Sequence, residues 1–343
     1  MFTLDGSLAV PIIAAPMAGG PTTPALAAAV SEAGGLGFLA AGYKSAQAVR
    51  AEIAAVRSAT ARPFGVNLFY PTRDEIDEAA INAFARSLYE EEVRYGVSVG
   101  VPVWSDDDWE AKLRVVAREC PDVVSFTFGC PERETVEWLR GLDIAVWVTV
   151  TSPAEAQFAL AAGPDALVLQ GAEAGGHKGS FRQHNDEPLP ILSLLRLVAS
   201  MTDRPLVTAG GIATAAQIAD LRLAGASAAQ IGSAFMLAEE AGTTRPHRQA
   251  LRRRAQTRLT RAFTGRPARG IVNRFMLEHG EHAPAAYPEV HFLTAPLRAK
   301  ARALEDADGL NLWAGQTYHL ALEAAAGEIV ERCQADLARF ERQ

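Results

Sequence analysis

Residues 205–236 read PLVTAGGIATAAQIADLRLAGASAAQIGSAFM. An apolar run, PLVTAG (205–210), leads into a Gly-Gly pair. A helical pattern, TAAQIADLRLAG (214–225), ends in Gly, the expected helix stop. A second apolar run, AAQIG (228–232), then reaches Gly232-Ser233, and a short helix is expected near Ala234. Both runs are continuous rather than alternating, as expected for strands covered on both faces. Glycines at the strand ends let the backbone approach an anion closely, and free N–H groups at a helix start can bind it. Paired loops of this kind, with a short extra helix, form the phosphate site of many parallel barrels.

Working outward, the same rhythm fills the chain. Apolar runs recur at PIIAAP (11–16), LGFLAA (36–41), FGVNLF (64–69), DVVSFTF (122–128), IAVWVTV (144–150) and DALVLQ (165–170). Helical patterns such as TPALAAAVSEAGG, DWEAKLRVVAREC and PAEAQFALAAG lie between them. Alternating strands and helices imply a parallel sheet, and eight repeats imply a (β/α)8 TIM barrel, expected over residues 1–239. Two segments break the rhythm. Residues 71–106 are acidic and partly helical, and read as an elaborated connection after the third strand. Residues 240–310 follow the eighth strand and read as an inserted helical cap or lid over the barrel mouth. Residues 311–343 are expected to be helical and to pack back on the barrel.

Composition supports a large core: 49% of the 343 residues are hydrophobic and 21% charged. The three cysteines, Cys120, Cys130 and Cys333, form no C-x-x-C pair, so neither a disulfide framework nor a zinc site is expected. MFTLDGSLAV does not read as a signal peptide, and no apolar window spans a bilayer, so a cytoplasmic protein is expected. A net charge of −7 argues against a nucleic-acid partner. With no coiled-coil heptads, a monomer or homodimer is expected. Between Arg245 and Arg274 lie ten arginines and no Asp or Glu; setting those ten aside leaves −17 on the remainder. They read either as a solvated helix pairing with acidic neighbours or as a basic wall that draws in an anion.

Active sites of such barrels lie at the C-terminal strand ends. The first strand ends in APMAGG, where a flat ring could lie against small residues with Met17 as a soft wall. The third ends at Asn67 and the sixth at Gln170, two amides that need hydrogen-bond partners in apolar surroundings. Gln170 runs into GAEAGGHKG (171–179), a glycine-rich loop able to hold His177 over a bound ring, as a base or as a cation steadying an anion. His184, His247, His279, His282, His291 and His319 lack this setting and read as surface or structural. Cys130, in FGCP, reads as a buried filler.

These blocks, with RAFTGRPARGIVNRF (261–275) and the LWAGQ tail (312–316), resemble the nitronate monooxygenases, formerly called 2-nitropropane dioxygenases. The family's blocks occur in order over most of the chain, and are weakest over 71–120. The resemblance implies FMN and no metal. Carried over by position, Asn67, Gln170, Gly175, Gly211, Gln230, Ile231, Gly232 and Ser233 would contact FMN, and His177 would be the catalytic histidine. The implied reaction is oxidative denitrification of an alkyl nitronate with O2, giving a carbonyl compound and nitrite. Where the family often shows Arg, this chain has Lys178, which loses the planar fork. The GGH and AGGI…QIGS blocks also occur in flavin-dependent enoyl-acyl carrier protein reductases. An NAD(P)H-dependent reductase of that type, or of the quinone reductase type, is therefore the alternative.

Overall fold

All eight apolar runs are strands in a computed structural model, which describes residues 1–183 and 188–340. In chain order they are β1 (Ile12–Ala14), β2 (Gly37–Ala40), β3 (Phe64–Phe69), β4 (Val123–Thr127), β5 (Ala145–Val150) and β6 (Ala166–Gln170). After a short strand, β7 (Gly176–His177), come β8 (Leu206–Ala209) and β9 (Ala228–Ile231). The eight barrel strands pair in parallel in the order β1-β9-β8-β6-β5-β4-β3-β2. A parallel bridge from Ile13 to Leu36, just before β2, closes the ring into a (β/α)8 barrel.

Successive strand residues point to opposite faces, and two cores divide them. Ile13, Phe38, Trp147, Val168 and Val207 fill the barrel interior, with Phe2 and Leu4 beside them. Their neighbours Ile12, Leu39, Val66, Val148, Leu169 and Ile231 pack outward beneath the helices. The helices begin where side chains accept their first free N–H groups. Thr23 caps Pro24–Glu32, Ser152 caps Pro153–Ala162, and Thr214 with Gln217 forms a capping box on Ala215–Leu223.

The segment after β9 is not an all-helical cap. It holds a helix, Arg245–Leu251, then two antiparallel strands, β10 (Thr257–Thr260) and β11 (Ala268–Ile271), and then helices Arg274–His279 and Glu289–Ala303. β11 also pairs antiparallel with β7, matching Ala268 to His177. The arginine-rich stretch is thus largely a hairpin, because TRLT and ARGI supply short extended runs around Gly265-Arg266-Pro267. A second apolar core under this segment also takes in Ile81, Phe84, Leu88 and Tyr95 from the 71–106 insertion, and Met236 and Leu237. That core therefore draws on both sides of position 239. Within the tail, residues 311–317 are irregular and cross the barrel mouth, and only Ala326–Phe340 is a long helix, packed on helices Pro24–Glu32 and Ala215–Leu223. No described helix is long and apolar enough to cross a membrane.

Candidate active site

A cavity of ≈ 380 Å³ opens at the C-terminal ends of the strands. Of the residues singled out from sequence, Met17, Asn67, Gln170, Gly175, His177, Gly211, Gln230, Gly232 and Ser233 all line it. Ile231 does not: one step along β9 from Gln230, it turns outward into the core beneath the helices. Lys178 is likewise one step from His177 and is not among the lining residues. Its ammonium is buried without a hydrogen-bond partner among the described residues, and burial brings its pKa down to about 8. An anion contact there is thus not supported. His184 lies outside the described residues.

The two strand-end amides have protein partners. Asn67 Nδ2 donates to Ser125 Oγ at 2.9 Å and Thr127 Oγ1 at 3.0 Å. Gln170 Nε2 donates to the His177 carbonyl at 3.0 Å, and its Oε1 accepts from Gly179 N at 2.7 Å. Gln170 therefore clamps both sides of the histidine loop onto the end of β6. Gln230 differs: its Oε1 is buried with no partner among the described residues. Gly175 makes a close approach that only glycine permits, since a Cβ there would lie 2.4 Å from Gly315 N. Gly175→Ala should push the 311–317 segment off the mouth, at a cost of about 1–3 kcal/mol. A thermal unfolding midpoint equal to wild type would show that this packing is not tight.

His177 is half-buried, and its exposed part faces the cavity. Its Nε2 lies 2.9 Å from Thr264 Oγ1, and the rings of Phe128, Tyr287 and Trp313 surround it. Burial, reinforced by the charges of Arg266 and Arg298, brings its pKa down to about 3. These surroundings favour the neutral ring over the imidazolium. The fixed positive charge belongs to the two arginines. Arg266 is fully buried, its guanidinium 4.0 Å from the centre of the Phe128 ring, and Nε and Nη2 have no hydrogen-bond partner among the described residues. Arg298 lines the cavity; its Nε donates to Thr294 Oγ1 at 3.1 Å and its Nη2 to the His291 carbonyl at 2.7 Å. Neither arginine pairs with a carboxylate among the described residues.

Sequence reasoning missed Tyr43, Thr264, His291, Arg298 and Trp313, all of them cavity-lining. His291 is not a surface group: its ring stacks on Tyr43 at 4.2 Å, and burial brings its pKa down to about 2, with Arg298 adding to the fall. The signal that could have found Arg298 is its four-residue spacing from Arg302, another lining residue, on one helix. Other arginines do pair with acids, as Arg252 does with Glu323 at 2.7 Å and Arg245 with Glu305 at 3.4 Å. Cys130 is a buried thiol that burial pushes up to about 12, which suits a filler.

A closed parallel barrel whose mouth holds glycine loops, amides, a histidine and the buried Arg298, with Arg266 behind the Phe128 ring, defines a barrel enzyme with a preformed pocket of positive character. The chain belongs to the nitronate monooxygenase family, a family of oxidoreductases: the family model "Nitronate monooxygenase" matches residues 2–336. It is 40% identical to the nitronate monooxygenase of Pseudomonas aeruginosa over 339 residues, covering 95% of this chain and 96% of that one. Among solved structures it superposes on a nitroalkane oxidase from Streptomyces ansochromogenes with TM-score 0.95 at 48% identity, covering 98% of both chains. FabK from Thermotoga maritima matches with TM-score 0.76 at 25% identity, over 98% of this chain and 94% of that one.

Proposed function

We propose that the chain is an FMN-dependent monooxygenase that oxidises alkyl nitronates with O2 to carbonyl compounds and nitrite. The observation that carries this reading is the buried, unpaired positive charge of Arg266 and Arg298 beside a neutral His177. Such a pocket attracts a small anion, because buried charge is screened less than charge in water. The similarity to a nitronate monooxygenase and to a nitroalkane oxidase supports the same chemistry.

The pocket residues suit a flavin. Gln230 Oε1 offers a buried acceptor with no protein donor, as a ring N–H or ribityl hydroxyl requires. Gly210 and Gly211 have φ of 109° and 69°, and a Cβ on either would strike Ala174 or Glu173 within 3 Å. With Gly232 and Ser233 they would hold the phosphate, while Met17 and Gly175 would border the ring. A bound flavin accepts the electrons that the nitronate gives up. Arg298 would hold the anion, Arg266 would add its charge from behind the Phe128 ring, and His177 would orient it by hydrogen bonding. A histidine held near pKa 3 is a weak base at neutral pH, which favours the preformed nitronate over the neutral nitroalkane.

Oxygen uptake by the purified, FMN-loaded protein with propyl-1-nitronate or propionate 3-nitronate, without nicotinamide, tests this. Uptake with matching nitrite release is expected. No uptake from a yellow protein, together with rapid bleaching by NADH or NADPH, would overturn it in favour of a reductase.

A further inference from the structure

A smaller cavity, ≈ 30 Å³, lies beside the main one. Tyr43, Phe69 and Phe128 line both, so these three rings are the partition between the two. They form a continuous wall: Tyr43 meets Phe69 edge-on with centroids 5.4 Å apart, and Phe69 meets Phe128 at 4.5 Å. Beyond them the small cavity is bordered by Tyr70, Pro71, Pro288 and Phe292, with Ser105, Asp106 and Asp107 at a polar margin.

Three features hold the partition in place. Tyr43 and Phe128 have φ of 65° and 78°, left-handed backbone that side-chain-bearing residues adopt only where their surroundings impose it. The Phe69 ring is seated on Gly42, where a Cβ would lie 2.2 Å from ring atom Cε2. Tyr287 OH donates to Tyr43 OH at 3.1 Å and ties the wall to the segment before helix Glu289–Ala303. Phe128 also meets the His177 ring at 5.9 Å, so the wall begins one ring away from that imidazole.

We infer that this aromatic partition is a chain-length stop. An anion seated beside His177 and Arg298 sends its alkyl chain towards Phe69 and Phe128, and the small cavity is a subsite for the methylenes of a longer, unbranched chain. The inference rests on the nitronate reading for the head group alone; the stop acts on any alkyl anion in this pocket.

Phe69→Ala joins the two cavities, and Phe69→Leu joins them in part while keeping a large apolar side chain in the barrel. Isothermal titration with straight-chain carboxylates, propanoate to decanoate, reads the stop without turnover, because a carboxylate is planar and anionic like a nitronate. In the wild type, affinity is expected to rise with chain length and then fall. In Phe69→Ala the optimum should move to longer chains, with about fourfold tighter binding per added methylene beyond the wild-type optimum. Phe69→Leu should give a smaller shift in the same direction. An unchanged optimum in both variants, or no carboxylate binding by any form, overturns the inference. Nitrite release from propyl-1-nitronate by the wild type is measured alongside. Its absence would count against the nitronate reading and leave the titrations to decide the partition.

Discussion

His177→Asn is expected to lower kcat/KM for a nitronate by about 10²–10⁴-fold, the usual range for a positioned polar group at a reacting centre. Its anchoring is largely main-chain: β7 pairs with β11, and Gln170 holds the His177 carbonyl at 3.0 Å. Asn leaves these bonds intact, so flavin absorbance and thermal midpoint should stay near wild type while turnover falls. Full activity in a flavin-loaded variant would remove His177 from the mechanism. The pH profile gives a second check. With the His177 pKa down at about 3 rather than 6.5, its protonation should add no transition between pH 5 and 9. Activity falling as pH rises through about 6.5, and losing that limb in His177→Asn, would show instead that an imidazolium is required.

Glu91→Ala is expected to destabilise the fold by about 3–5 kcal/mol, seen as a fall of roughly 5–15 °C in thermal midpoint. Glu91, on the insertion helix Tyr89–Tyr95, is 0% exposed. Both guanidinium arms of Arg274 reach its carboxylate, Nη2 to Oε2 at 2.8 Å, and His279 Nε2 lies 3.4 Å from Oε1. Removing the carboxylate leaves Arg274 mostly buried with only the half-exposed Glu278. Glu91→Gln keeps the shape and loses the charge, so a similar fall there assigns the effect to charge. Burial alone would push Glu91 up, but Arg274 and His279 outweigh it and hold its pKa at about 2. Its contribution is therefore present above the unfolded value of about 4.3 and is lost as pH falls towards 2. A thermal midpoint in Glu91→Ala equal to wild type would show that this pair does not tie the insertion to the segment after β9.

The barrel was legible because its signals are local. Each strand is a run of mostly β-branched and apolar residues, and the three amides in such runs, Asn67, Gln170 and Gln230, stand in the C-terminal half of their strands and face the cavity. Strict alternation also explains the one proposed cofactor contact that does not line the cavity: placing Gln230 there turns the Ile231 side chain away from it. Farther from the sheet the pattern carries less. The arginine-rich segment showed its charge but not its hairpin, since short extended runs around a Gly and a Pro take their pairing from a distant partner, here β7.

Pattern along the chain accounts for the eight strands, the glycine loops after β8 and β9, and His177 on its loop, because each depends on residues a few positions apart. Long-range packing chose the rest of the site. Thr264, His291, Arg298 and Trp313 reach the mouth only because a second core clasps the insertion after β3 to the segment after β9, and because Gly175 and Gly315 let the tail cross closely. The direction of each of those side chains follows from contacts with residues far away in sequence, and no local periodicity encodes them.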